Sequence, residues 1–172
     1  LGQRMPFWDR DIDLLVVPRG DTRSLNGLLA VVDRYRVGQV VSVEIGDHRA
    51  GREWLDTVAT MQIPIVEAEP DIGIEDGLTL TLNAGGWVHI DAGATSIGVG
   101  EPPPETRADT IILDGVSPEI AERLRAIQPS IVVTRRAVEP DRLIEGVAFV
   151  NVEDRSVELT FDGAQWTIHE VP

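Results

Sequence analysis

The sequence holds no cysteine and, although it carries fifteen cationic side chains, no lysine: every one of the fifteen is arginine. Without cysteine there are no disulfides, thiolate nucleophiles or Cys-ligated zinc sites. The compartment stays open, because an extracytoplasmic domain can do without bridges. Without lysine there is no Walker-type phosphate loop and no Schiff-base or pyridoxal chemistry. No apolar run approaches the roughly 18 residues of a membrane span, and the opening LGQRMPFWDR lacks the basic-then-apolar layout of a signal peptide. Positive charge is itself scarce. Against 15 arginines stand 29 Asp and Glu, a formal net charge of −14. That field repels nucleic-acid backbones and anionic membrane surfaces unless a local basic patch overcomes it.

What is present is enough apolar material for one core. The chain has 172 residues, 42% of them hydrophobic, a length that predicts a single domain over 1–172. DIDLLVV reads as a short strand bounded by Pro18-Arg19-Gly20. SLNGLLAVVDRYRV follows as a helix, with Leu25, Leu28, Leu29, Val32 and Tyr35 on one face. GQVVSVEI, HRAGREWLDTVATMQ and IPIVEAE continue as strand, helix and strand, the alternation of a parallel sheet covered by helices. GLTLTLN, WVHIDAG and TSIGVG, divided by Gly85-Gly86, Gly93 and Gly98, read as antiparallel strands. After EPPPETRA the first pattern returns: DTIILDG as strand, SPEIAERLRAIQ as a helix capped by Ser117 with Pro118 at its first position, and PSIVVTRR as strand. The tail VAFVNVEDRSVELTFDGAQWTIHE reads as strands turning at Glu153-Asp154 and Asp162-Gly163.

Few residues carry chemistry in an obvious pattern. His48, His89 and His169 are far apart, with no pair spaced to share a metal. Ala94-Thr95-Ser96-Ile97-Gly98 imitates the nucleophile elbow of α/β-hydrolases, with Asp114 and His169 following in triad order. Ser96, however, leads into Ile-Gly-Val-Gly-Glu-Pro-Pro-Pro, which cannot form the helix an elbow requires. Asp9, Asp11 and Asp13 alternate ahead of the first strand, as an acidic cluster for a hard cation would. Arg34 with Arg36, Arg123 with Arg125, and Arg135-Arg136 are the cationic concentrations, interleaved with acids in the manner of solvated faces.

PFWDRDIDLLVV and VVDRYRVGQVV resemble the flanks of the metal loop in the metallo-β-lactamase-fold domain of the ComEC family of DNA-internalisation competence proteins. In that family an aromatic-aspartate segment precedes a strand. A metal loop of the form T-H-P-D-A-D-H-I-G-G-L follows, and then a helix ending in R-Y-x-V-G-x-V. Laying Gly27-Leu28 on the family's Gly-Leu places Arg19 at the first His, Asp21 at the second position, Arg23 at the metal-binding Asp and Ser24 at the last His. Only Asp21 keeps a ligand's chemistry. Further along, SIGVGE falls where the family has a strand ending in T-G-D, so Glu101 stands in for the bridging aspartate. DTIILDG leaves Asp114 where a His belongs, SIVVTRRAVEPDRL lies at the expected G-H-P-H without its His, and VNVEDRSVELTFDGAQWTI is similar to the closing T-D-R-D-G-T-V-E-V hairpin. The family's opening hairpins, with their L-D-V-G-Q-G-D segment, have no counterpart ahead of Leu1, so a fragment of a longer membrane protein is expected.

The resemblance implies an α/β fold, a partial metallo-β-lactamase-like sandwich: a βαβαβ unit, antiparallel middle strands, a second βαβ unit and a C-terminal hairpin. It implies no cofactor and no catalysis, because Arg19 and Arg23 put permanent positive charge where divalent ions would sit. Salt bridges from these arginines to Asp21, Glu101 and Asp114 are expected to fill the cleft instead. The leading expectation is therefore a pseudoenzyme module, structural or interacting, of an extracytoplasmic part of a DNA-uptake membrane channel. Its protein partner is unspecified, and its DNA binding is at most weak and salt-sensitive. Two other classes remain: a one-metal hydrolase or nuclease using Asp21, Glu101 and Asp114 with Mg²⁺ or Mn²⁺, and a generic α/β binding or regulatory domain with the acidic cluster at Asp9, Asp11 and Asp13.

Overall fold

The computed structural model describes residues 10–67, 72–73, 77–83, 85–152, 156–162 and 166–171. The apolar run after Arg10 forms β1 (Asp11–Val17), and the chain then alternates through α1 (Thr22–Arg34), β2 (Arg36–Ser42), α2 (Arg49–Thr60) and β3 (Ile65–Glu67). The three strands are parallel in the order β1-β2-β3, with Leu15 beside Val40 and Val40 beside Ile65. The helices form because their apolar residues recur with the helical period: Leu25 and Val32 on α1, Ala50, Trp54 and Val58 on α2. These side chains pack with Val17, Val37 and Val40 of the strands into one core, in which Val17, Leu25, Val40, Trp54 and Val58 are completely buried. Each such side chain stabilises by about 1.5–3 kcal/mol relative to exposure.

Helix α1 ends earlier than its apolar spacing suggests. Tyr35 is already extended (φ −118°, ψ 150°), where the periodicity carries the helix on to Val37. The reason is tertiary: the Arg36 N–H donates to the Arg10 carbonyl at 2.7 Å, so pairing with β1 claims the residues that would have made the last turn.

The remaining strands are β4 (Ile72–Gly73), β5 (Thr79–Leu82), β6 (Val88–Asp91), β7 (Ser96–Val99), β8 (Thr110–Leu113), β9 (Ile131–Thr134) and β10 (Ala148–Asn151), with α3 (Pro118–Ile127) between β8 and β9. They form one seven-stranded sheet in the order β10-β9-β8-β7-β6-β5-β4. β4 pairs antiparallel with β5 and β6 with β7, while β7, β8, β9 and β10 run parallel. Helix α3 is fixed at both ends. The Ser117 hydroxyl accepts the Ile120 N–H at 3.2 Å with Pro118 at the first position, and Gln128 adopts a left-handed φ of 53° as its N–H returns to the Leu124 carbonyl. Ile120, Ala121 and Leu124 pack on Ile111, Leu113 and Val132, with Trp87, Val116 and Ile144 completing this second core. The Trp87 ring lies over Gly98, where a Cβ would fall 1.8 Å from it. β11 (Ser156–Phe161) and β12 (Trp166–Val171) close the chain as an antiparallel hairpin.

The fold is thus α/β, with the expected βαβαβ unit, antiparallel middle strands, second βαβ unit and closing hairpin. The buried residues sort into two compact units with separate cores, the first built on β1 to β3 and the second on the larger sheet. Two features differ from the sequence pattern. Ala148–Asn151, read within a C-terminal run of strands, instead extends the parallel part of the larger sheet beside β9. The two-residue β4 carries no alternation long enough to be seen in sequence. Glu153, Asp154 and Gly163 lie outside the described residues, so the turns read there are not described.

Candidate functional site

In open parallel sheets, the commonest place for a ligand is beyond the carboxyl ends of the strands, where the loops enter helix N-termini. In the first unit these are the loop after β1, carrying Arg19, Asp21, Arg23 and Ser24, and the loop after β2. Asp21 is the N-cap of α1. Its Oδ1 accepts the N–H groups of Arg23 and Ser24, each at 3.0 Å, and its Oδ2 accepts the Ser24 hydroxyl at 2.7 Å. Both carboxylate oxygens are therefore committed to the first turn of the helix. The Ser24 N–H, then the Ser24 hydroxyl, hold the Asp21 carboxyl below the usual carboxylate range, with smaller contributions from the Arg23 N–H and the nearby Arg19 charge.

The two loops are tied to each other by His48. Its Nδ1 accepts the Gly51 N–H at 3.1 Å, capping α2, so the ring proton sits on Nε2 and is donated to the Gly20 carbonyl at 2.7 Å. Gly51 is needed in that corner because a Cβ there would come 2.2 Å from the Gly46 carbonyl oxygen. The position of His48 directly ahead of Arg49-Ala50-Gly51 is that of a helix cap, whereas its bond to Gly20, 28 residues away, carries no signal in the sequence.

Arg19 and Arg23 are exposed, and among the described residues neither closes an ion pair. The expected bridge to Asp21, in the same unit, is not formed by either arginine. Asp21 is taken by its own helix. In the second unit Asp114, at the end of β8, lies between Arg136 (Nη2 to Oδ2, 2.9 Å) and Arg135 (Nε to Oδ1, 3.7 Å) at the end of neighbouring β9. The parallel pairing of β8 with β9 presents these side chains next to one another. Glu101, just past β7, is exposed.

Of the other candidates, Asp11, Ser96 and His89 make contacts within the fold. Asp11 forms a two-bond pair with Arg36, Asp13 is exposed, and Asp9 lies outside the described residues. Ser96 opens β7, and its N–H and hydroxyl donate to Asp109 Oδ2 at 2.7 and 3.2 Å, so the elbow-like segment is a strand start. His89 stacks on Trp87 within β6, and His169 is exposed on β12. Among the described residues no three His, Cys, Asp or Glu side chains gather into a metal-binding set, and no helix is long and apolar enough to cross a membrane. Compared with known protein families and with curated proteins, the chain matches none.

Proposed function

We propose that this chain is a non-catalytic, metallo-β-lactamase-like module of a competence-type DNA-uptake membrane protein, placed outside the cytoplasmic membrane and kept for a structural or interaction role. The family assignment rests on the flanking segments around 6–17 and 31–41. The non-catalytic reading is carried by one observation: Asp21, the single ligand-type residue left in the loop between those flanks, spends both oxygens on capping α1. A carboxylate that accepts three hydrogen bonds from its own helix start gives up that cap to bind a metal. Arg19 and Arg23 on either side add repulsion that no change of protonation relieves.

The test is elemental analysis of the purified protein, with thermal melts in Zn²⁺, Mn²⁺ and Mg²⁺ and an assay for phosphodiester hydrolysis. The expected result is no stoichiometric metal, no saturable rise in melting temperature and no hydrolysis. A rise that saturates with one ion, as tight native-state binding requires, together with metal-dependent cleavage, would overturn the reading in favour of a metal-dependent hydrolase.

A further inference from the structure

At the opposite end of the first unit's sheet, away from the capped loops, α1 hands over to β2 and α2 to β3. An open cavity of about 590 Å³ lies there, lined by Arg10, Arg34, Tyr35 and Arg36 with Val32, Asp33, Val37, Met61 and Ile63. Its size falls within the ~300–1,000 Å³ of small-molecule sites. In a chain of net charge −14, three guanidinium groups facing a single lining carboxylate make a local reversal of sign.

The three arginines are not equivalent. Arg36 is bound through Nε and Nη2 to the two oxygens of Asp11, at 2.7 and 2.8 Å, which neutralises it and fixes that wall. Arg34 lies over the Tyr35 ring, 5.9 Å from its centre, a cation–π contact that holds its fork against the cavity. Among the described residues Arg10 and Arg34 have no carboxylate partner. Two unneutralised forks suit a group with more oxygens and more charge than one carboxylate, namely phosphate. Apart from the exposed Asp33 carboxylate, the rest of the lining is largely apolar: Val32 and Val37 are buried, Tyr35 and Ile63 half-buried, and Met61 is 41% exposed, a polarisable side chain that adapts to flat rings.

We propose that this cavity binds a small phosphorylated aromatic molecule of mononucleotide size, its phosphate on Arg10 and Arg34 and its ring against Tyr35 and Met61. The site stands apart from the capped metal loop, and the proposal does not depend on the family assignment. The same chemistry can come from a free nucleotide or from the end of a nucleic-acid strand.

Tyr35 is the one tyrosine in the chain, so its ring resonances report on this cavity alone. AMP titrated into the whole chain is expected to shift them saturably, with adenosine and inorganic phosphate each weaker by about tenfold or more. Arg10→Gln and Arg34→Gln, both at exposed positions, are expected to weaken AMP by about fivefold or more each with at most a small change in melting temperature. A 5′-phosphorylated oligonucleotide that acts at lower concentration than AMP identifies a strand end as the source; the reverse order identifies a free nucleotide. No Tyr35 shift at millimolar AMP, an equal shift with phosphate or adenosine alone, or a response indifferent to both variants would overturn the proposal.

Discussion

Two strand-to-helix junctions, one in each unit, meet the same problem in different ways. After β1 the acid of the loop, Asp21, is itself the helix cap, and its charge is absorbed by the backbone of α1. After β8 the two tasks are separated: Ser117 caps α3, and Asp114 is left to Arg135 and Arg136 on the next strand. A carboxylate at such a junction is therefore engaged in one of two ways, by becoming part of a helix or by acquiring a guanidinium neighbour. The first is built into the local fold. The second involves side chains that are all more than half exposed, and surface pairs of that kind contribute little.

The contrast is sharpened first by testing what holds the junctions in place. Trp54→Ala, which empties the fully buried centre of the first core, is expected to destabilise by about 3–5 kcal/mol in denaturant unfolding. Gly51→Ala should follow at about 1–3 kcal/mol, because its Cβ meets a backbone oxygen at 2.2 Å and forces apart the corner where His48 caps α2. Ser117→Ala is expected to cost about 1 kcal/mol as an ordinary cap loss, and Ser117→Asp to recover it. Asp114→Ala, the smallest effect, should change stability by less than about 1 kcal/mol; a loss as large as that of Ser117→Ala would erase the distinction between the two routes.

Acid distinguishes the junctions as well. The Asp21 carboxyl is held below its ordinary value of 3.8, so the cap's ionic contribution is complete above that value and is lost as pH falls through the lower folded one. The melting-temperature difference between the native chain and Asp21→Asn is thus expected to be constant from neutral pH to about pH 5 and to shrink below the ordinary carboxylate range. A difference that instead grows in acid would mean that the charge at Asp21 opposes folding.

Much of this architecture was legible in local pattern. DIDLLVV is β1 residue for residue, and Ser117-Pro118 sets the start of α3, because both are decided by short-range apolar spacing and cap chemistry. Pairing between distant segments was not legible. Tyr35 leaves the helix because Arg36 bonds to Arg10, and Ala148–Asn151 joins β9 through a parallel pairing that no hairpin signal announces. The candidate site divided along the same line. Asp21 followed by Ser24 is recognisable as a cap from local spacing alone. Arg10 carries no local cue at all, since only the β1–β2 register brings it beside Arg34 and Arg36.

The order of the strands along the chain also sets a timetable. All three strands of the smaller sheet, and both helices that cover it, are complete by Glu67, whereas the larger sheet waits for Asn151 to supply β10 beside β9. Made from its N-terminus at the pace of the ribosome, the chain has every strand of its first sheet in hand before any strand of its second is made. The second sheet must hold β7, β8 and β9 together with one flank open until the last parallel strand arrives, and that interval is when its unpaired edge is most open to a wrong partner.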